Sequence, residues 1–558
     1  MTDVPAAGQE SLVRRLGWLL ALLPLLAAAA WASFGARLPE PVAERQRLGE
    51  ATMQWNFEDI VEVPVEPMHV VARAAFLGVL QVPGATFRWT VAANAFAAAL
   101  IVLCLALATR RAFGFSGTAT QFAFGLAGLL VCSPAFGADW LHGERIGLFL
   151  VPLLLLLGML SLQGERSFAL RAIFAMVLVI TAPFCHVNGV VAFAVVVPML
   201  WFSARRSGAS GLAWAGVATL LGAGAAVVSL WPAGGLGGVA SGISGRAFTE
   251  PFATALHLLR TTGAAWLDPL PATTLDELAL GGACWLLPLL LWGSGDRGDE
   301  ARGRAAPWWG CIWFGLLLSV LQAERFGPDV HAAVARELGF ASFLLPVGCI
   351  GLVAARFGFL ALPVGGGILL VLSLQDWSRG IGELRLARMR VERTETSLLL
   401  PPDAVIERAP LPTRDAEELQ LLRDRCWVPP SDATFTEALQ TIDTAVPVDG
   451  VGSCDGGYAQ TVHGAARSSL TGESVQCVVV RVTTGDNAAN GDSTAITAGW
   501  ALPDWETGSR NAPWSAALAE PVAEGAHVRA FGYLLRRKVF TPLGPSLVLR
   551  DGALVPEQ

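Results

Sequence analysis

Residues 55–69, WNFEDIVEVPVEPMH, place Glu58, Asp59, Glu62 and Glu66 just after the first long apolar run of the chain. If helical, the four lie within about three turns. Carboxylates beside a bilayer are costly unless water or a cation reaches them, so the cluster is either a functional group or a solvated surface loop. Spacing alone leaves both readings open. Further polar residues fall in the short breaks between apolar runs. Asp139, His142, Glu144 and Arg145 lie in SPAFGADWLHGER, His186 and Asn188 in APFCHVNG, and Glu324, Arg325 and Arg336 between two later runs. Side chains of these types can exchange protons or hold anions, provided that the apolar runs deliver the breaks to one side of the membrane.

The composition says what those runs are. The 558 residues are 53% hydrophobic and 15% charged, with a positive mean hydropathy, which no soluble domain of this size needs. The expectation is a mainly α, polytopic membrane protein. The net charge is -7, and the basic residues form short clusters between apolar runs. Nucleic-acid binding therefore has no basic stripe to rest on. Instead the clusters report topology. Arg14-Arg15 precede the run Leu16 to Phe34, read as a retained span that leaves the N-terminus in the cytoplasm. Trp89 to Thr109 ends at Arg110-Arg111, and Val190 to Phe202 ends at Arg205-Arg206. The loop GSGDRGDEARGR carries Arg297, Arg302 and Arg304. Alternating these clusters with the acidic breaks gives about eleven spans. The acidic loop, the Asp139 loop and the His186 break then share the external face of a bacterial-type inner membrane. Val70 to Val82, interrupted by Arg73, suits a helix lying in the interface. The segment up to Leu275, with Arg246, His257, Arg260 and Asp268, is too polar to span.

Past Gln375 the composition changes. Residues 1–375 are read as the membrane domain and 376–434 as an amphipathic helix and linker. Residues 435–558 are read as a small extracytoplasmic all-β domain. In that last part VQCVVVRVTTG, AITAGWALP, AHVRAFGYLLRR and PSLVLRDG read as strands separated by Gly, Asn, Asp and Pro turns, which predicts a sandwich. The odd number of spans puts this domain outside, where cysteines can pair. Cys454 and Cys477 are the expected disulfide because Cys426 lies in the linker, although sequence does not fix connectivity. Trp500, Trp505 and Trp514 are core or strand-edge residues, with stacking on sugar rings the alternative.

The order of these features resembles the multi-spanning glycosyltransferases of the GT-C architecture, in particular the branch related to protein O-mannosyltransferases. FEDIVEV looks like that family's acidic pair in the first external loop. PMHVVARAAF followed by FRWTVAANAFAAALIVLCLALATRR is similar to its approach to the second span, with Asn94 in the place of an asparagine near the start. SPAFGADWLHGERIGLFLVPLLLLL resembles its second external loop, and FCHVNGVVAFAVVVPMLW stands where many members have a Lys-Glu-Asn-like turn. The resemblance covers roughly residues 10–375. It departs at His186 and Val187, where the pattern favours Lys and Glu, and at Glu58-Asp59, where it favours two aspartates. The β domain replaces a helical-repeat tail.

The resemblance implies inverting transfer of a sugar from a polyprenyl-phosphate donor to a lipid, glycan or protein acceptor on the extracytoplasmic face. Such a transfer needs a carboxylate base, for which Asp59 is the choice and Glu58 the alternative. The leaving phosphate calls for a fixed cation. Arg145 is the best placed, followed by His186, Arg325 and Arg336, with Asp139, His142 and Asn188 as further substrate-binding candidates. Each arginine has the plainer reading of an interfacial anchor. The family leaves room for a divalent cation held by His142, Asp139 and Glu58 or Asp59, but one loop histidine does not make a metal site and none is assigned. Two other classes compete. A transporter predicts charges inside spans and broken helices, whereas nearly all charges fall at span ends. A catalytically silent scaffold displaying the β domain is the third reading.

Overall fold

The computed structural model describes residues 69–80, 82, 87–113, 125, 128, 131–132, 143–164, 166–230, 249–267, 274–293, 299–326, 343–357, 433–467, 474–483, 495–504, 511–534 and 537–557, with isolated positions at 26, 396 and 400. These fall into two compact units divided near residue 383.

In the first unit, runs of Ala, Leu and Val long enough for several turns fold as helices. They are α1 (Val70–Leu80), α2 (Phe87–Phe113), α3 (Ile146–Leu162), α4 (Phe168–Thr181), α5 (Val191–Arg206), α6 (Gly211–Leu230), α7 (Pro251–Leu267), α8 (Thr274–Gly293), α9 (Asp299–Phe326) and α10 (Leu344–Phe357). Among the described residues three stretches are long and apolar enough to cross a membrane: Trp89–Ala112, Val187–Arg206 and Gly211–Ser229. The other apolar helices are 10–17 residues long. Leu170, Ile173, Phe174 and Val177 leave one face of α4 open, and Leu212 and Leu220 do the same on α6. Lipid covers such faces at no cost, whereas water does not. The expected spans at 16–34, 115–132 and 357–374 lie wholly or mostly outside the described residues, as do the amphipathic helix near 381–395 and Cys426.

Side-chain contacts give the bundle two chemically distinct ends. At one end Arg111 donates to the carbonyl of Leu160 and Arg171 to that of Leu162, so two guanidiniums bind carbonyls of the last turn of α3. Phe168 meets Trp214 edge-on at 5.4 Å, and Arg205 lies over Trp201. The starts of α4 and α6 and the end of α5 therefore share this basic end. Deeper packing depends on small residues: Gly315 lies against Leu345, and Gly348 and Gly351 against Trp308. The segment 251–267, expected to be too polar to span, is a helix packed on α8, with Trp285 donating to Thr262 at 3.1 Å.

The second unit is a closed barrel, not a sandwich. Its strands are β1 (Gly452–Tyr458), β2 (Thr461–Arg467), β3 (Val475–Thr483), β4 (Ala495–Ala501), β5 (Asn511–Leu518), β6 (His527–Leu534), β7 (Val539–Pro542), β8 (Leu547–Arg550) and β9 (Ala553–Pro556). All neighbours are antiparallel in the order β3-β4-β5-β2-β1-β9-β8-β6, and β3 pairs with β6 along nearly its whole length to close the ring. Closure removes the exposed edges that two stacked sheets would retain. β7 extends the β6 edge beyond β8. There Thr541 accepts from the Val448 N–H at 2.8 Å and donates to the Val446 carbonyl at 3.1 Å.

Alternation along β3 splits the buried side chains. Val478, Val480 and Val482 point into the barrel with Val462 and Trp514. Cys477 and Val479 point outward, under Phe435 of α11 (Ala433–Gln440), with Trp500, Phe531, Tyr533 and Phe540. Asp443 pairs with Arg481 at 2.9 Å and ties the turn after α11 to β3. This corrects the expected disulfide. Cys454 lies in the interior cluster and Cys477 in the outer one, so the barrel wall separates two free thiols. Trp500 and Trp514 are both buried, as core residues; Trp505 lies outside the described residues.

Candidate functional site

The end of the bundle opposite the basic one gathers four segments. The first is α1, begun by His69, whose carbonyl accepts the Arg73 N–H at 2.9 Å. An arginine inside an apolar helix would ordinarily reach out to water, but Arg73 is only 2% exposed. α1 is therefore packed into the bundle and not laid along its surface. The cause lies in two glycines of the second segment. A Cβ at Gly143 would lie 1.8 Å from Thr90 Oγ1 and 3.1 Å from the Phe76 ring. A Cβ at Gly147 would lie 2.2 Å from the Cys185 carbonyl oxygen and 3.2 Å from Ala72 Cβ. With hydrogen in both places, α1, the start of α2 and the Cys185 turn all come down onto the backbone around Arg145.

Arg145 ends the 3-10 turn Gly143–Arg145 and begins α3, with φ -83° and ψ 10° and its side chain half-buried. Thr90 and Asn94, one turn apart on α2, are buried beside this turn or just below it. The fourth segment is the break between α4 and α5, formed by the short 3-10 turns Ala182–Phe184 and Val187–Val190. Pro183 cannot continue the helical hydrogen bonding of α4, and His186 is extended at φ -163°, ψ 150°. His186 Nδ1 accepts the Asn188 backbone N–H at 3.2 Å, which leaves the ring proton of the neutral imidazole on Nε2, where it can be donated. Gly189 allows the turn to close, since a Cβ there would lie 2.1 Å from the Ala182 carbonyl oxygen.

His186 is 6% exposed and its ring centroid lies 6.2 Å from that of His69, the planes tilted by 57°. Asn188 is 2% exposed, and its side-chain nitrogen has no hydrogen-bond partner among the described residues. Two guanidiniums, Arg73 and Arg145, stay charged at any physiological pH. With the imidazoles and the Asn188 amide they make this end rich in donors. Groups of these types can hold an anion or an oxygen-rich group.

Of the residues singled out from sequence, Arg145, His186 and Asn188 come to this end. Arg325 lies in the last turns of α9, with its side chain outside the described residues, as are Glu58, Asp59, Asp139, His142 and Arg336 altogether. Among the described residues no three His, Cys, Asp or Glu side chains are grouped to hold a metal. Arg73 and Thr90 were missed. The available signal was the charge of Arg73 inside VVARAAFLGVL, which reads equally well as an interfacial marker. No family model, curated protein or solved structure matches the chain.

Proposed function

We propose that the chain is a membrane glycosyltransferase of the GT-C kind, moving a sugar from a polyprenyl-phosphate donor to an acceptor on the extracytoplasmic face with inversion. The observation that carries this reading is that the backbone segments bearing Arg73, Arg145, His186 and Asn188 meet at the end of the bundle away from its arginine clusters. Arginine clusters mark cytoplasmic ends, so the opposite end is the external one. There a lipid-linked phosphate can reach fixed cations without leaving the bilayer. Arg145 holds the phosphate and stabilises the charge it gains on leaving. His186 and Asn188 donate to the phosphate or sugar oxygens, and Asp59 removes the acceptor proton. About eleven spans carry the chain through the inner membrane, and the barrel lies outside.

The test is binding of a polyprenyl-phosphate sugar to the purified full chain. The parent should bind. Arg145→Ala should weaken that binding, and Arg145→Lys should recover only part, because an ammonium lacks the planar fork of a guanidinium. A parent chain that binds no such lipid favours the silent scaffold instead.

A further inference from the structure

The contact between Gly143 and Thr90 does more than fill space. Gly143 opens the three-residue turn that Arg145 ends, so any displacement of Gly143 is passed to Arg145 through one intervening residue. The atoms that meet the site of a missing Cβ are Thr90 Oγ1 at 1.8 Å and Thr90 Cβ at 2.4 Å. Cβ is fixed to the backbone of α2, so rotation of the threonine cannot clear it. Behind Thr90 the helix is held by a buried neighbourhood that includes Val91 and Asn94, and Phe76 closes the other side at 3.1 Å. The turn, not α2, is the piece that must give way.

We propose that Gly143 is a positioning residue for Arg145, and that its seat against Thr90 sets where the guanidinium meets the donor. This rests on the reading of Arg145 as the phosphate-holding cation. Gly143→Ala pushes the turn off α2 and carries Arg145 with it. A displaced guanidinium loses one of its charge-assisted hydrogen bonds to the phosphate, so donor affinity should fall about tenfold. Thr90→Gly removes both obstructing atoms, and Gly143→Ala with Thr90→Gly should regain most of that affinity.

The experiment measures donor-lipid affinity of the full-length parent, Gly143→Ala, the Gly143→Ala/Thr90→Gly pair, Arg145→Ala and the Gly143→Ala/Arg145→Ala pair. If Gly143 acts through Arg145, adding Gly143→Ala to Arg145→Ala changes affinity little, because the effects of coupled sites do not add. A general loosening of the fold would instead lower affinity in both backgrounds. A second readout needs no donor: the rate at which a maleimide labels Arg145→Cys, alone, with Gly143→Ala and with both Gly143→Ala and Thr90→Gly. The rate should change several-fold with the alanine and return with the glycine. Equal rates in all three, or additive losses in the affinity cycle, overturn the proposal. A parent chain that binds no donor refutes the glycosyltransferase reading and leaves the labelling rates to decide the Gly143–Thr90 contact.

Discussion

Gly147 is seated so closely on the peptide of Cys185 that a side-chain carbon there would lie 2.2 Å from the Cys185 carbonyl oxygen. That contact joins the first turn of α3, just after Arg145, to the residue before His186. Helix and turn are far apart in sequence, and only glycine lets their backbones approach this far. The obstructing atom belongs to the main chain, so Gly147→Ala cannot be absorbed by a rotamer change. It should destabilise the membrane unit by about 1–3 kcal/mol, the usual range for overpacking. Denaturant titration of the full chain in micelles measures this, and an unchanged midpoint would show that the two backbones are not in contact.

The barrel thiols give a prediction with a pH sign. Burial, reinforced by the Asp455 charge, pushes the Cys454 thiol up to about 12, and burial also raises Cys477. Both should appear free in intact mass under non-reducing conditions and should be alkylated only after unfolding. A thiol raised in the folded state contributes stability that is complete below its unfolded value near 9 and is lost as pH rises towards about 12. Barrel stability should therefore be flat from neutral pH to about 9 and fall above it. Recovery of a Cys454–Cys477 linked peptide would contradict the separation of these residues by the barrel wall.

Thr541 stands in for a strand partner along β7. Thr541→Val keeps the shape but leaves the Val448 N–H and the Val446 carbonyl without the hydroxyl that serves both. The expected loss is about 0.5–1.5 kcal/mol, the net worth of hydrogen bonds whose backbone partners water can partly reach. Faster hydrogen exchange at Val448, read by mass spectrometry, should accompany it; unaltered exchange would mean that the segment is held by something else.

What could be read from the sequence divides along physical lines. Long apolar runs report themselves through composition, so α2, α3, α5, α6, α8 and α10 were foreseen close to their observed positions, while α9, expected from Trp308, begins earlier, at Asp299, inside the stretch read as a loop. β3, β4, β6 and β8 were visible through β-branched and aromatic residues. β1, GSCDGGY, and β5, NAPWSAAL, were not, because Gly, Ala, Ser and Pro carry little strand preference. Barrel closure depends on β3 meeting β6 across more than forty residues, and local pattern holds no trace of that pairing. At the site, the His186 break was legible through Pro183, His186 and Asn188 clustered between apolar runs. The burial of Arg73 was not, since it follows from what Gly143 and Gly147 allow in three dimensions.

The proposed orientation rests on which end carries the arginines. Single cysteines introduced near positions 59 and 139 and after 375 should react with a membrane-impermeant reagent applied from outside, and those near 206 and 302 should not. Labelling at 302 from outside would invert the assignment of the donor-rich end to the external face.

The proposed sugar transfer with Asp59 as the base is tested most directly by turnover compared with donor binding. A base acts mainly in the transition state, so Asp59→Asn should leave polyprenyl-phosphate sugar binding nearly unchanged while lowering kcat about 10²- to 10⁴-fold. Transfer by Asp59→Asn at the parent rate, or no transfer by the parent chain to any permissive acceptor despite donor binding, would contradict it.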